Sequence, residues 1–88
     1  MKKIEELIKT GKATIVDVRT TSEFMGGHVE GSINIPLQEV PNRIEEFKKM
    51  ENLILCCASG GRSGQAMVFL RQNGIECENA GAWQNLDL

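Results

Sequence analysis

Nowhere does this chain hold an apolar run approaching the ~20 residues that cross a bilayer, which excludes a spanning helix. The opening Met1-Lys2-Lys3-Ile4-Glu5-Glu6 mixes charges where a secretory leader carries an apolar run. A cytoplasmic protein is therefore expected, or a periplasmic one if a leader has been removed. The three cysteines form no CxxC pair and two of them are adjacent, which argues against zinc and makes a poor disulfide framework. At least one thiol stays unpaired within the chain, as suits a reducing compartment. Positive charge is scarce too. Lys and Arg number 10 against 12 Asp and Glu, a net charge of −2, and Lys48 with Lys49 alone makes no basic face for nucleic acid. His28 is the only histidine, so a protease-like Cys–His pair would have to use it. Repeats, low-complexity segments and linkers are missing as well. What remains is 88 residues, 41% of them hydrophobic, enough for one modest core and one domain over residues 1–88.

Short helices and strands alternate along that domain. Ile4, Leu7 and Ile8 recur at helical spacing before Gly11, which predicts a helix over 3–10. A strand follows over 13–18, with Asp17 and Arg19 at its carboxyl end. Thr21 or Ser22 is positioned to cap a helical turn carrying Glu23 and Phe24, stopped by Gly26 and Gly27. A second strand is expected over 32–35, closed by Pro36. A helix over 40–49 then carries Pro41 in its first turn and buries Ile44 and Phe47. Residues 53–56 lack alternation, the pattern of a strand covered on both faces. A helix over 63–73, stopped by Gly74, buries Ala66, Met67 or Val68, Phe69 and Leu70. A last strand is expected over 75–78, with Trp83 packing a terminal turn onto the core. This order predicts an α/β layer fold, a mostly parallel sheet between helices, with ligands at the carboxyl ends of the strands. Asp17, Arg19 and Cys57 converge on that edge.

The segment richest in chemistry is Cys57-Ala58-Ser59-Gly60-Gly61-Arg62-Ser63. A cysteine between a buried strand and a helix start meets inward N–H groups, a helix dipole and a nearby guanidinium, all of which favour thiolate. Four residues separate Cys57 from Arg62, and Gly60 and Gly61 among them let the backbone curl around a small atom carried on the sulfur. Ser63 stands where a helix cap is expected. Arg62 has two open roles, drawing in an anion or holding the loop.

The chain resembles the single-domain rhodaneses, the thiosulfate sulfurtransferases, over nearly its whole length. Val16-Asp17-Val18-Arg19 is similar to that family's first motif. Glu23-Phe24 with Gly27 through Pro36 is similar to its second, Cys57 through Ser63 to its active loop, and Gly81 with Trp83 to its C-terminal element. Ser63-Gly64-Gln65-Ala66 and Glu78-Asn79-Ala80-Gly81 resemble the small phage-shock protein E sulfurtransferases, which are usually exported. The resemblance implies a rhodanese-like three-layer fold and double displacement: Cys57 takes a sulfane sulfur from thiosulfate, a polysulfide or a persulfide, including a protein persulfide, and hands it to cyanide or a thiol. The N–H groups of Ala58, Ser59, Gly60, Gly61, Arg62 and Ser63 would cradle the persulfide, with Asp17 and Arg19 in support and no metal or organic cofactor. Because the loop is neutral apart from Arg62, slow thiosulfate turnover is expected.

Two alternatives stand beside this reading. Cysteine phosphatases and arsenate reductases of similar architecture carry a longer loop, wide enough for phosphate. A carrier or binding module would dock to a protein partner without turning over thiosulfate. For the other residues plainer readings are expected: Cys56 a buried inert thiol facing away from Cys57, Cys77 a small core residue, and His28 a hydrogen-bonded scaffold. Arg19 is expected to pair with Glu23, and Asp17 with groups of the active loop. The short strand that commonly precedes the first helix in this family is missing and Ala82 replaces a frequent second glycine, so an open sheet edge, with a dimer or marginal stability, is expected.

Overall fold

The computed structural model describes residues 2–86. Its centre is a sheet of four parallel strands, β1 (Thr14–Asp17), β2 (Ile33–Asn34), β3 (Leu53–Cys57) and β4 (Cys77–Ala82), in the order β2-β1-β3-β4. The expected three-layer α/β fold is borne out. Period-two alternation divides the apolar residues between the two faces. Leu53, Leu55 and Cys57 of β3 join Val16, Val18, Phe47, Ala66 and Leu70 on one side. Ile54 and Cys56 join Ile4, Ile15, Ala80 and Leu86 on the other. All five residues of β3 are buried, as its unbroken apolar run requires.

Helix α1 (Lys2–Lys9) lays Ile4 on the second face. Helix α2 (Thr21–Met25) is capped by Thr20, and not by Thr21 or Ser22 as expected, so it starts one or two residues earlier. The Thr20 hydroxyl accepts from the Glu23 N–H and the Glu23 carboxylate accepts from the Thr20 N–H, a reciprocal capping box. The helix expected over 40–49 is instead a 3₁₀ segment, Leu37–Arg43, continuing into α3 (Ile44–Lys48). Pro41 lies inside the 3₁₀ part, where its missing N–H weakens regular α hydrogen bonding. Phe47, fully buried from α3, is the largest side chain of the core on that face.

Helix α4 (Gly61–Gln72) begins two residues before the expected Ser63, capped by Gly60 in a left-handed conformation, φ +102°. Ser63 is therefore the third residue of the helix, and its hydroxyl is free to turn inward. Val68 is exposed, whereas Ala66 and Leu70 are buried, which settles the helix's inner face. Strand β4 is longer and later than expected, because pairing with β3 carries the non-β-branched run Glu78-Asn79-Ala80-Gly81 into the sheet. Its register breaks: Leu55 pairs with Asn79 but Cys56 pairs with Gly81, leaving Ala80 as the extra residue of a bulge. A 3₁₀ turn, Trp83–Leu86, packs Leu86 on the second face.

Candidate active site

Asp17, Cys57 and the start of α4 meet at the carboxyl edge of the sheet, the convergence expected of a parallel fold. Cys57 ends β3 at the floor of the loop, only 1% exposed, while Ala58, Ser59 and Gly61 form the outer rim. The Gly60 N–H donates to Cys57 Sγ at 2.9 Å, and Ser63 Oγ lies 3.3 Å from the same sulfur. Burial pushes the thiol up, but the Ser63 hydroxyl and the N–H groups of Ser63, Gly60 and Ser59 outweigh it and leave Cys57 below an ordinary thiol. Only Gly60 carries the left-handed turn; Gly61 is already helical.

The neighbouring thiols differ. Cys56 points to the opposite face, and burial followed by the Asp17 charge pushes it up to about 12. Cys77 is buried beneath α4 and is raised mainly by burial. Alkylation of the reduced protein by iodoacetamide is therefore expected to fall first on Cys57, its rate rising with pH to a midpoint below that of a free thiol. Peptide mapping across pH checks this, and earlier labelling of Cys56 or Cys77 would contradict it.

Of the two roles open to Arg62, its side chain is in the one that holds the loop. It reaches α2 and donates to both Glu23 carboxylate oxygens, at 2.6 and 3.0 Å. This bidentate pair has the strong charge-assisted geometry of a guanidinium on a carboxylate. With the Thr20 cap it holds Glu23 well below the usual carboxylate range, at about 2, the Arg62 bond being the larger cause. Since the folded value is depressed from 4.5, the contribution to stability is present above pH 4.5 and lost as pH falls through about 2. Glu23→Gln, which keeps an acceptor for the cap, is expected to be less stable than wild type at neutral pH. Urea unfolding at a series of pH values should show that difference closing below pH 4.5; a pH-independent gap would contradict it.

Two expected pairings are corrected. Arg19 does not bond the Glu23 carboxylate, which is occupied by Arg62 and Thr20, and Asp17 does not reach the active loop. They bond each other instead. Arg19 Nε lies 3.0 Å from both Asp17 oxygens and Nη2 lies 2.7 Å from Oδ2, with both side chains buried. Two residues apart at the end of β1, they form the nearest available match of charge. Arg19 also donates to the carbonyls of Gly27 at 2.7 Å and Glu23 at 3.3 Å, and lies 4.9 Å from the centre of the Trp83 ring. The pair thus ties down α2 and the turn after it, with no direct contact to the thiol. His28 Nδ1 meets the Phe24 carbonyl at 2.8 Å and its ring stacks on Phe24, so it is a scaffold and not a base for Cys57.

Glu23 and Asn79 complete the site, although Glu23 was expected only as a partner of Arg19 and Asn79 was given no role. For Glu23 a signal existed, the Thr-x-x-Glu spacing from Thr20. Asn79 stood only within the Glu78-Asn79-Ala80-Gly81 resemblance, with no role attached, because its contact with Ser63 is made across 16 residues of sequence.

The family model described as Rhodanese-like domain matches residues 1–84. The Bacillus subtilis protein YqhL is 42% identical over 72 residues, covering 80% of this chain and 57% of its own. A sulfurtransferase of Allochromatium vinosum is 33% identical, covering 80% and 65%, and the thiosulfate sulfurtransferase PspE of Escherichia coli is 38% identical, covering 81% and 71%. The matches thus span between about half and three quarters of these relatives. Among solved structures, that described as rhodanese with anions from E. coli superposes with a TM-score of 0.75 at 35% identity, covering 86% of this chain and 91% of the other. With a matching fold, a family match over residues 1–84 and sulfurtransferases among its relatives, the chain belongs to the rhodanese-like domain family.

Proposed function

We propose that residues 1–88 form one rhodanese-like domain that transfers a sulfane sulfur by way of a persulfide on Cys57. The observation that carries this reading is the sulfur at the end of β3, enclosed by N–H and O–H donors. In the first half-reaction the Cys57 thiolate attacks the outer sulfur of thiosulfate. The new S–S bond forms as the old one breaks, and sulfite leaves with its electron pair. In the second, cyanide or a thiolate attacks the outer persulfide sulfur and Cys57 leaves as thiolate, ready for another turn. No electrons are gained or lost overall, and the chemistry as written needs no metal.

The loop suits such a cargo. N–H groups of Ser59, Gly60 and Ser63 favour negative charge on sulfur, and anionic charge on the outer atom of a persulfide calls for the same kind of donor. Arg62, engaged by Glu23, contributes chiefly by keeping the loop closed around that atom. Four residues between Cys57 and Arg62 and 1% exposure of Cys57 favour a single sulfur over a tetrahedral phosphate.

A second reading, sulfur carriage between proteins, is favoured by one relative: YrkF of B. subtilis, named for a sulfur-carrier role, is 34% identical over 62 residues. The two separate by donor. Thiocyanate formation from thiosulfate and cyanide, with the parallel double-reciprocal lines of a double displacement, is expected of the enzyme. Loading from a persulfide or polysulfide but not from thiosulfate would select the carrier, and loading from neither would overturn both.

A further inference from the structure

Ser63 has one hydroxyl proton and two acceptors within reach. Asn79 Oδ1 lies 2.6 Å from Ser63 Oγ, and Cys57 Sγ lies 3.3 Å from it. The amide of Asn79 cannot be turned over, since Nδ2 donates to the Gly60 carbonyl at 3.2 Å while Oδ1 accepts from the Gly81 N–H at 2.9 Å. Oδ1 is thereby held as an acceptor toward Ser63. The same amide touches both residues that donate to the sulfur: it holds the Gly60 peptide by its carbonyl, and that residue's N–H points at Sγ. Ser63 is fully buried, away from bulk solvent.

We propose that Asn79 is a positioning residue for Cys57, aiming the Gly60 N–H at the sulfur and taking up the Ser63 hydroxyl proton whenever the sulfur does not need it. With Cys57 as thiol, its S–H donates to Ser63 Oγ, and the Ser63 proton rests on Asn79 Oδ1. When the thiol proton leaves to water, the Ser63 hydroxyl rotates and donates to the thiolate. Once a second sulfur is attached and the charge moves outward, the hydroxyl returns to Asn79. A single rotation thus follows the charge through the cycle, and the bulge at Ala80 belongs to the same device, for it brings Gly81 N–H within reach of Asn79.

This inference rests on Cys57 being the reactive thiol. Asn79→Asp keeps the shape and the acceptor, but it replaces the donor to Gly60 by an anion that holds the Ser63 proton more tightly. In that variant the midpoint of Cys57 alkylation against pH is expected to rise by about one unit, a tenfold loss of thiolate below the midpoint. If the effect passes through Ser63, the shift in the Ser63→Ala background should shrink to less than half, the coupling of two groups in one network. An unshifted midpoint in the folded variant would overturn the proposal, and fully additive shifts would overturn the part that passes through Ser63. Should Asn79→Asp fail to fold, wild-type NMR decides: the Asn79 side-chain amide and Gly81 N–H signals are expected to titrate with Cys57 and to stay flat in Cys57→Ser. Flat signals in wild type would overturn it. Sulfur loading of the wild type is measured separately, so failure here and failure of the transferase reading are distinguishable.

Discussion

Replacing Cys57 by serine is expected to lower thiocyanate formation by at least about 10³-fold, the scale of loss when a covalent nucleophile is removed. Serine keeps the shape but not the chemistry. Its hydroxyl is a far weaker acid than a thiol and stays protonated among donors that favour a thiolate, and oxygen does not hold sulfane sulfur as a persulfide does. The contrast with the adjacent residue makes the result informative. Cys56→Ala removes a thiol that sits on the opposite face and is held up to about 12, so activity is expected to stay close to wild type. Steady-state thiocyanate formation with thiosulfate or polysulfide as donor checks both variants. Comparable losses in the two would show that the pair, and not Cys57 alone, does the chemistry.

The second large effect belongs to the loop's two glycines, which are expected to respond in opposite directions. At Gly60, φ is +102° and an added Cβ would lie 3.2 Å from Gly81 Cα, a backbone atom unable to swing aside. Strain of that kind costs about 1–3 kcal/mol per residue. Gly60→Ala is expected to destabilise by that amount and to turn the Gly60 N–H away from sulfur, with transfer activity falling at least tenfold. At Gly61 the backbone is helical and an added Cβ meets nothing within 4 Å. Gly61→Ala is therefore expected to stabilise by about 0.4–1 kcal/mol through the unfolded chain. Denaturant unfolding of the two variants beside wild type tests the contrast. Equal losses at both positions would mean that the loop needs two flexible residues.

Much of the fold could be read from residue pattern because the signals were local. The unbroken apolar run at Leu53 to Cys56 marked a central strand, and period-two alternation sent Cys56 and Cys57 to opposite faces. Elements went astray where tertiary structure overrides local preference. Strand β4 runs on past Glu78 through Asn79 to Ala82, residues of low strand propensity, because β3 offers them a ladder. Helix α4 starts at Gly61, since the turn around the sulfur ends in a left-handed glycine and the helix follows at once. The Cys57 loop was legible for the same reason as β3: the nucleophile, its glycines and Arg62 are contiguous. The partners that fix it were not. Glu23 lies 39 residues from Arg62 and Asn79 lies 16 from Ser63. Spacing alone carries no sign of either contact. Charge matching went wrong for a related reason: Arg19, Arg62, Asp17 and Glu23 allow more than one pairing, and the choice depends on where α2 docks.

Intact mass is the most direct measurement of sulfur on Cys57. Reduced protein is incubated with thiosulfate or with polysulfide, weighed, treated with cyanide and weighed again, beside Cys57→Ser. A gain of one sulfur, about 32 Da, that disappears with cyanide and never forms in the variant is the expected result. An unchanged wild-type mass with both donors, or an equal gain in Cys57→Ser, would contradict persulfide transfer through Cys57.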